Sequence, residues 1–174
     1  PRIRTYVGVS RVCMRRIERE CAQSGASGAP IQFVPNWVDE RRFVPRSPLP
    51  LKPGRALVFS NGAHGGTFLP AVQEACHRAG VQLDVVGMGV GRIVSAPERI
   101  LGDYDIVFAK ARAAIEAMAV GAAVILCDRA SCGPMVTSID FERLQPTNFG
   151  FESLDRPITA DLLFGEIARY DAVD

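Results

Sequence analysis

What this sequence lacks narrows its class before any motif is considered. Its 174 residues include 20 basic and 19 acidic side chains, a formal net charge of +1. No global field therefore draws it to nucleic acid or an anionic membrane, and any anion site must be local. The longest apolar runs, such as Ala122–Cys127, fall far short of the roughly 20 residues needed to cross a bilayer. No basic start followed by an apolar stretch and a cleavage site is present, so the expected location is cytoplasmic, with peripheral membrane attachment left open for a longer protein. The five cysteines are odd in number and contain no C-x-x-C pair. That excludes a paired disulfide framework or a zinc site, no metal is expected, and the thiols read as free in a reducing compartment. Histidine is scarce: His77 falls inside a predicted helix and His64 in a turn, so Cys132 has no plausible base for nucleophilic chemistry. There is no internal repeat, and no initiator methionine precedes the first strand, so the chain is expected to be a piece of a longer protein.

What is present is an ordinary globular composition, 48% hydrophobic and 22% charged, in a length suited to one well-packed core. Residues 5–10 read as a buried strand, followed by a Ser cap, an amphipathic helix carrying Val12, Ile17 and Cys21, and a Gly stop. "IQFVP" is a second short strand, and "NWVDERRFVP" a polar, Pro-bounded turn. "RSPLPLKPG", residues 46–54, has three prolines and no periodicity and reads as an extended linker. Beyond it, apolar strands alternate with helices: "RALVFS", then a helix ended by Gly80, "VQLDVV", a short helix with Pro97 in its first turn, "YDIVFA", "KARAAIEAMAVG", "AAVILCD" and a last helix in "PITADLLFGEIARYD". Continuously apolar strands alternating with helices predict an α/β, Rossmann-like parallel sheet covered on both faces. The expected division is 1–45, a strand-helix-strand remnant and hinge of a preceding domain, and 46–174, the Rossmann-like domain.

Ligands of such sheets bind beyond the carboxyl ends of the strands, where the strand order reverses. Four turns qualify: 60–66, 87–91, 109–112 and 128–136. "SNGAHGG" sets Gly62, Gly65 and Gly66 between strand and helix, either as a tight turn needing positive φ or as a cradle of N–H groups for an anion. It is not G-x-G-x-x-G, and it lacks the Lys and Ser/Thr of a phosphate-binding P-loop. His64 at its tip is a solvent-facing residue or a hydrogen-bonding partner for a sugar hydroxyl or phosphate. "VGMGVG" lacks the acid a dinucleotide fingerprint needs, yet its glycines mark a close approach to the backbone. "CDRASCGPMVT" is a connecting loop, or a cradle in which Gly133, Pro134 and Met135 meet the sugar or its phosphate.

The most informative stretch is Phe108–Gly121, where Lys110 and Arg112 stand at a helix N-terminus already carrying partial positive charge, an arrangement unfavourable by about 0.3–1 kcal/mol per cation. A bound dianion turns that cost into a favourable site. Glu116, one turn on, pairs with Arg112 or accepts from a diol such as ribose, while Ile115, Met118 and Ala119 are expected to face the sheet.

Asn36, Trp37, Val38, Asp39, Phe43 and Pro45, together with the first Gly-rich turn, "VVGMG" and "AIEAMAVGAAVILCD", resemble the C-terminal half of group-1, retaining glycosyltransferases of the GT-B fold. In that family an N-G-V-D-x-x-x-F-x-P hinge introduces the nucleotide-sugar domain and an E-A-M-A-x-G-x-P-V-V unit closes the donor site. The resemblance covers about residues 30–170. It implies a donor-binding domain that takes a nucleotide-diphosphate sugar as co-substrate, without a separate cofactor, for transfer to a glycan, lipid or small-molecule acceptor. It matches Glu116 to the second Glu of the family's E-x7-E motif, which holds the ribose. The first Glu is replaced by Phe108, and the Arg and Lys usual in the first glycine turn are absent, which leaves Lys110 and Arg112 to supply the diphosphate charge. The family's acceptor site belongs to an N-terminal domain, expected here as a missing partner, so this chain alone is an incomplete, inactive fragment. A sugar-nucleotide epimerase and a non-catalytic nucleotide-binding or interaction module share the same expected fold.

Overall fold

The computed structural model describes residues 5–25 and 29–174. Two sheets are present. The first is a parallel pair of β1 (Tyr6–Gly8) and β2 (Ile31–Phe33), joined through α1 (Arg11–Ser24). Ser10 caps α1 by accepting from the Cys13 N–H, and Gly25 ends it in the left-handed region, φ 67°. The Ser cap and Gly stop are as the sequence implies, but the apolar stripe of α1 finds no core: none of its residues is buried.

The second sheet has six strands in the order β4-β3-β5-β6-β7-β8. β3 (Arg55–Phe59), β4 (Gln82–Val86), β5 (Ile106–Ala109) and β6 (Ala123–Asp128) pair in parallel. β7 (Ser131–Met135) and β8 (Arg156–Pro157) extend the sheet antiparallel. The architecture is thus α/β and Rossmann-like with a mostly parallel sheet, and the purely parallel expectation is corrected at one edge. Alternation along the strands divides the core into two faces. Ala56, Val58, Ile106, Phe108, Ile125 and Cys127 meet α2 (Leu69–Ala79) and α5 (Ala160–Ile167) through Val72, Cys76, Leu163 and Ile167. Leu57, Val107, Ala109, Val124 and Leu126 meet α3 (Ala111–Ala119) and the segment around Phe149 on the other face. α3 presents Ala114 and Ala117 as its buried apolar residues, while Ile115, Met118 and Ala119 are only partly buried. Those three still pack against the same core face, as the sequence implies, with Ala114 and Ala117 buried deeper.

Four further features of the fold bear on the site. The expected linker is tied down at both ends: the Arg46 N–H donates to Val120 O and its guanidinium pairs with Asp105 at 3.0 Å. The other carboxylate oxygen of Asp105 accepts from the Gly54 and Arg55 N–H groups. The expected hinge is a turn in which Asp39 accepts from the Arg41, Arg42 and Phe43 amides and Phe43 enters the core, while Trp37 stays 73% exposed. The segment around Pro97 forms two short 3-10 turns, Pro97–Arg99 and Leu101–Asp103. α4 (Ser138–Leu144) is a helix the sequence reading does not name; its signal was present in Thr137 and Asp140, where the Thr137 hydroxyl oxygen accepts from the Asp140 N–H. No helix among the described residues is long and apolar enough to cross a membrane.

Candidate functional site

The order of the main sheet reverses between β3 and β5, since β4 lies on one side of β3 and the later strands on the other. The turns after β3 and β5 therefore flank the crevice where such sheets bind ligands. The turn after β6 joins them.

In the first of these, residues 60–66, most amides are already engaged. The Gly62 N–H donates to Ser60 Oγ, the Ala63 N–H to Ser60 O, the His64 N–H to Thr67 Oγ1 and the Gly66 N–H to His64 Nδ1. Of the three glycines, Gly65 alone has an N–H with no partner among the described residues. None of the three adopts positive φ, so that expectation is corrected. His64 is exposed, and its Nδ1 accepts from the Gly66 N–H, which leaves Nε2 as the ring's donor. The second glycine turn explains itself: a Cβ on Gly87 would stand 1.9 Å from Ser60 O, and one on Gly89 2.3 Å from Ala63 O. The close approach that its glycines signal is thus made by the first turn. Asn61 bolts the two together, accepting from the Met88 and Gly89 amides.

Lys110 is the N-cap residue of α3, in extended backbone, and its side chain does not cap the helix. Its Nζ lies 3.2 Å from Asp128 Oδ2, at the carboxyl end of β6, and 3.8 Å from the centroid of the Phe151 ring. Arg112 Nε lies 2.9 Å from Glu116 Oε1; the arginine is 71% exposed and the glutamate side chain 10%. Each of the two cations at this N-terminus thus faces a carboxylate of the chain, Lys110 that of Asp128 and Arg112 that of Glu116. Helix formation places Glu116 one turn from Arg112, and the β5–β6 pairing brings Asp128 beside Lys110. Asp128 also faces the first turn, where a Cβ on Gly62 would lie 3.3 Å from Asp128 Oδ1 and 3.6 Å from Arg129 Nε. Gly62, Lys110, Asp128 and Arg129 thus converge, with the Arg112 and Ala113 amides at the open end of α3 finding no partner among the described residues.

Backbone strain collects at the same place. Ala111, Arg129, Asn148 and Phe149 all have positive φ, at 50°, 32°, 58° and 50°. Each costs of order 1–3 kcal/mol and persists only where surroundings impose it. For Ala111 the imposing contact is visible: its N–H donates to Phe149 O at 2.7 Å. Asn148 is buried, and its Oδ1 has no partner among the described residues. Nothing in the sequence singled out Phe149 or Phe151, whereas Asp128 was legible as an acid ending a fully apolar strand.

Gly133, Pro134 and Met135 do not form a loop cradle. They lie in β7, where a Cβ on Gly133 would meet Ser153 O at 2.2 Å and the Met135 N–H donates to Glu166 Oε2 at 2.7 Å. Pro134 has no N–H to offer and the Met135 N–H is already engaged, so neither is open to an anion. Burial opposes ionisation of Glu166, but the Met135 amide and the guanidiniums of Arg156 and Arg169 outweigh it and hold its carboxyl below the usual range. A cavity of about 1030 Å³ lies away from this cluster, between α4, Gly121–Val124 and Arg169–Asp174. Several of its polar groups pair with one another, as Ser138 with Asp174 and Asp140 with Arg169. No protein-family model matches this chain, and no curated protein or solved structure matches it at significance.

Proposed function

We propose that the chain is the donor-binding part of a GT-B-type glycosyltransferase and holds the diphosphate of a nucleotide sugar at the β3–β5 switch point. The observation that carries this reading is the meeting of Lys110, Arg129 and the open end of α3 with the glycine turn at Gly62, at the edge where Rossmann-like sheets take nucleotides. In this reading the exposed Arg112 leaves Glu116 for a phosphate, and the freed Glu116 carboxylate accepts from a ribose diol. Stabilisation of the departing diphosphate is then electrostatic and needs no metal. The acceptor, a glycan, lipid or small molecule, is assigned to a separate N-terminal domain. The unburied α1 and the open two-stranded sheet β1–β2 support a missing neighbour there, since a pair of strands alone is marginal in water.

One observation favours a second reading. Both cations are internally neutralised, which suits a non-catalytic module of the same fold that binds nucleotides weakly or contacts another protein. Calorimetric titration with UDP, GDP and pyrophosphate separates the two. Under the donor-site reading Arg112→Ala weakens all three ligands by roughly tenfold to a hundredfold, from the loss of one charge-assisted contact of about 1.5–3 kcal/mol. Glu116→Gln weakens UDP and GDP but leaves pyrophosphate nearly untouched. Unchanged affinities in both variants, or no binding by the native chain, refute it.

A further inference from the structure

The β6–β7 hairpin places two thiols opposite each other. Cys127 pairs in register with Cys132, next to the closing pair Asp128 and Ser131. Both cysteines are fully buried and both join the core face that carries Cys76. The ladder on either side defines what kind of pair they make. The Val136 N–H donates to Val124 O, and the Ile158 N–H donates to Ala130 O on the β8 side. Hydrogen bonding alternates along antiparallel strands, so even-numbered residues of β6 bond across to β7, and the backbone of Cys132 turns toward β8, where its register partner is Arg156. Cys127 and Cys132 are therefore a non-hydrogen-bonded pair, the kind whose Cα atoms stand about 4.5 Å apart with side chains close. That separation lies within the roughly 4.4–6.8 Å range that a disulfide spans.

We propose that Cys127 and Cys132 are a modification site, a reversible dithiol–disulfide couple oxidised by small hydroperoxides. Access runs through β8, a two-residue strand at the outer edge of the sheet, where local opening breaks few backbone pairings. Cys132 Sγ faces it, 3.9 Å from Pro157 O. Burial pushes the Cys132 thiol up, and Glu166 and Asp155 add to this, while the Arg156 guanidinium pulls it down. Once β8 peels away and water enters, the burial contribution falls and the thiolate becomes accessible. The thiolate attacks the peroxide, the O–O bond breaks, and Cys132 becomes a sulfenic acid with release of an alcohol or water. The Cys127 sulfur then displaces water from that sulfenic acid, forming the S–S bond; two thiols have lost two electrons to one peroxide. The ring so closed contains Asp128, the partner of Lys110.

Hydrogen peroxide applied to the native chain, followed by alkylation under denaturing conditions and peptide mapping, tests this. The expected product is a single intramolecular link between Cys127 and Cys132, two hydrogens lighter and reversed by dithiothreitol. Links to Cys76, Cys13 or Cys21, or sulfinic acid without a disulfide, overturn the pairing. In Cys127→Ser, Cys132 should stop at a sulfenic acid trapped by dimedone; no trapping refutes the assignment of the attacking thiol. The rate of disulfide formation in the native chain should rise with urea below the unfolding transition, and a rate independent of urea refutes entry by opening of β8.

Discussion

Replacing Asp128 by Asn is the sharpest perturbation of the candidate site, because it removes one charge while keeping the shape of the hairpin. At 3.2 Å from Lys110 Nζ, and with an effective dielectric of about 20, the attraction lost is on the order of 5 kcal/mol before desolvation is counted. Breaking a fully buried pair from one side costs about 3–5 kcal/mol. The Lys110 side chain is 27% exposed and keeps its contact with Phe151, so the expected loss of stability is smaller, about 1–2 kcal/mol. Binding should move the other way. Asp128 engages Lys110 and sets a negative charge beside the Gly62 turn, so its neutralisation frees one charge-assisted donor worth about 1.5–3 kcal/mol and removes the repulsion of an incoming anion. Pyrophosphate should then bind roughly tenfold to a hundredfold more tightly, measured by calorimetry at low ionic strength alongside urea denaturation of the same samples. A purely structural ion pair predicts the fall in stability without any gain in affinity. Unchanged or weaker pyrophosphate binding by Asp128→Asn would refute the reasoning.

Three other expectations follow from local geometry. Gly87→Ala should cost about 3 kcal/mol or more in urea denaturation because its methyl would meet Ser60 O at 1.9 Å, whereas Gly65→Ala, with nothing within 4 Å, should stay within about 0.5 kcal/mol; equal effects would contradict the packing of the two turns. The Glu166 carboxyl ionises below its unfolded value, so its contribution is present above the usual carboxylate pKa of about 4.3 and is lost as pH falls through the lower folded value. Glu166→Gln should accordingly flatten thermal stability across about pH 5 to 3, and an unchanged profile would show that the network around Met135 does not hold the charge. Burial pushes the Cys76 thiol up to about 12, so iodoacetamide at pH 8 should label it rapidly only after unfolding; fast labelling of the native chain would contradict its placement in the core.

Much of the fold could be read from the chain because its signals are local. A strand buried on both faces must be apolar throughout, so β3, β5 and β6 announce themselves, and their alternation with helices implies parallel pairing. Ser10, Gly25 and Gly80 mark helix ends through the backbone groups and dihedral angles that those ends require. β7 was hidden because "SCGPM" contains a glycine and a proline, which argue against a strand. It is tolerated there because the register shifts between the Ile125 and Cys127 pairings, an irregularity that accommodates a residue without an N–H, and because Gly133 leaves room for the Ser153 carbonyl. The site divides in the same way. The sequence alone determined that Lys110 and Arg112 stand at the start of a helix and that Glu116 lies one turn from Arg112, since three or four residues of helix set both facts. Only the tertiary structure decided that Lys110 meets Asp128 and Phe151, and that the second glycine turn clasps the first. Those contacts join residues far apart in the chain, and they exist only once the order of the strands has brought β5 beside β6 and β4 beside β3.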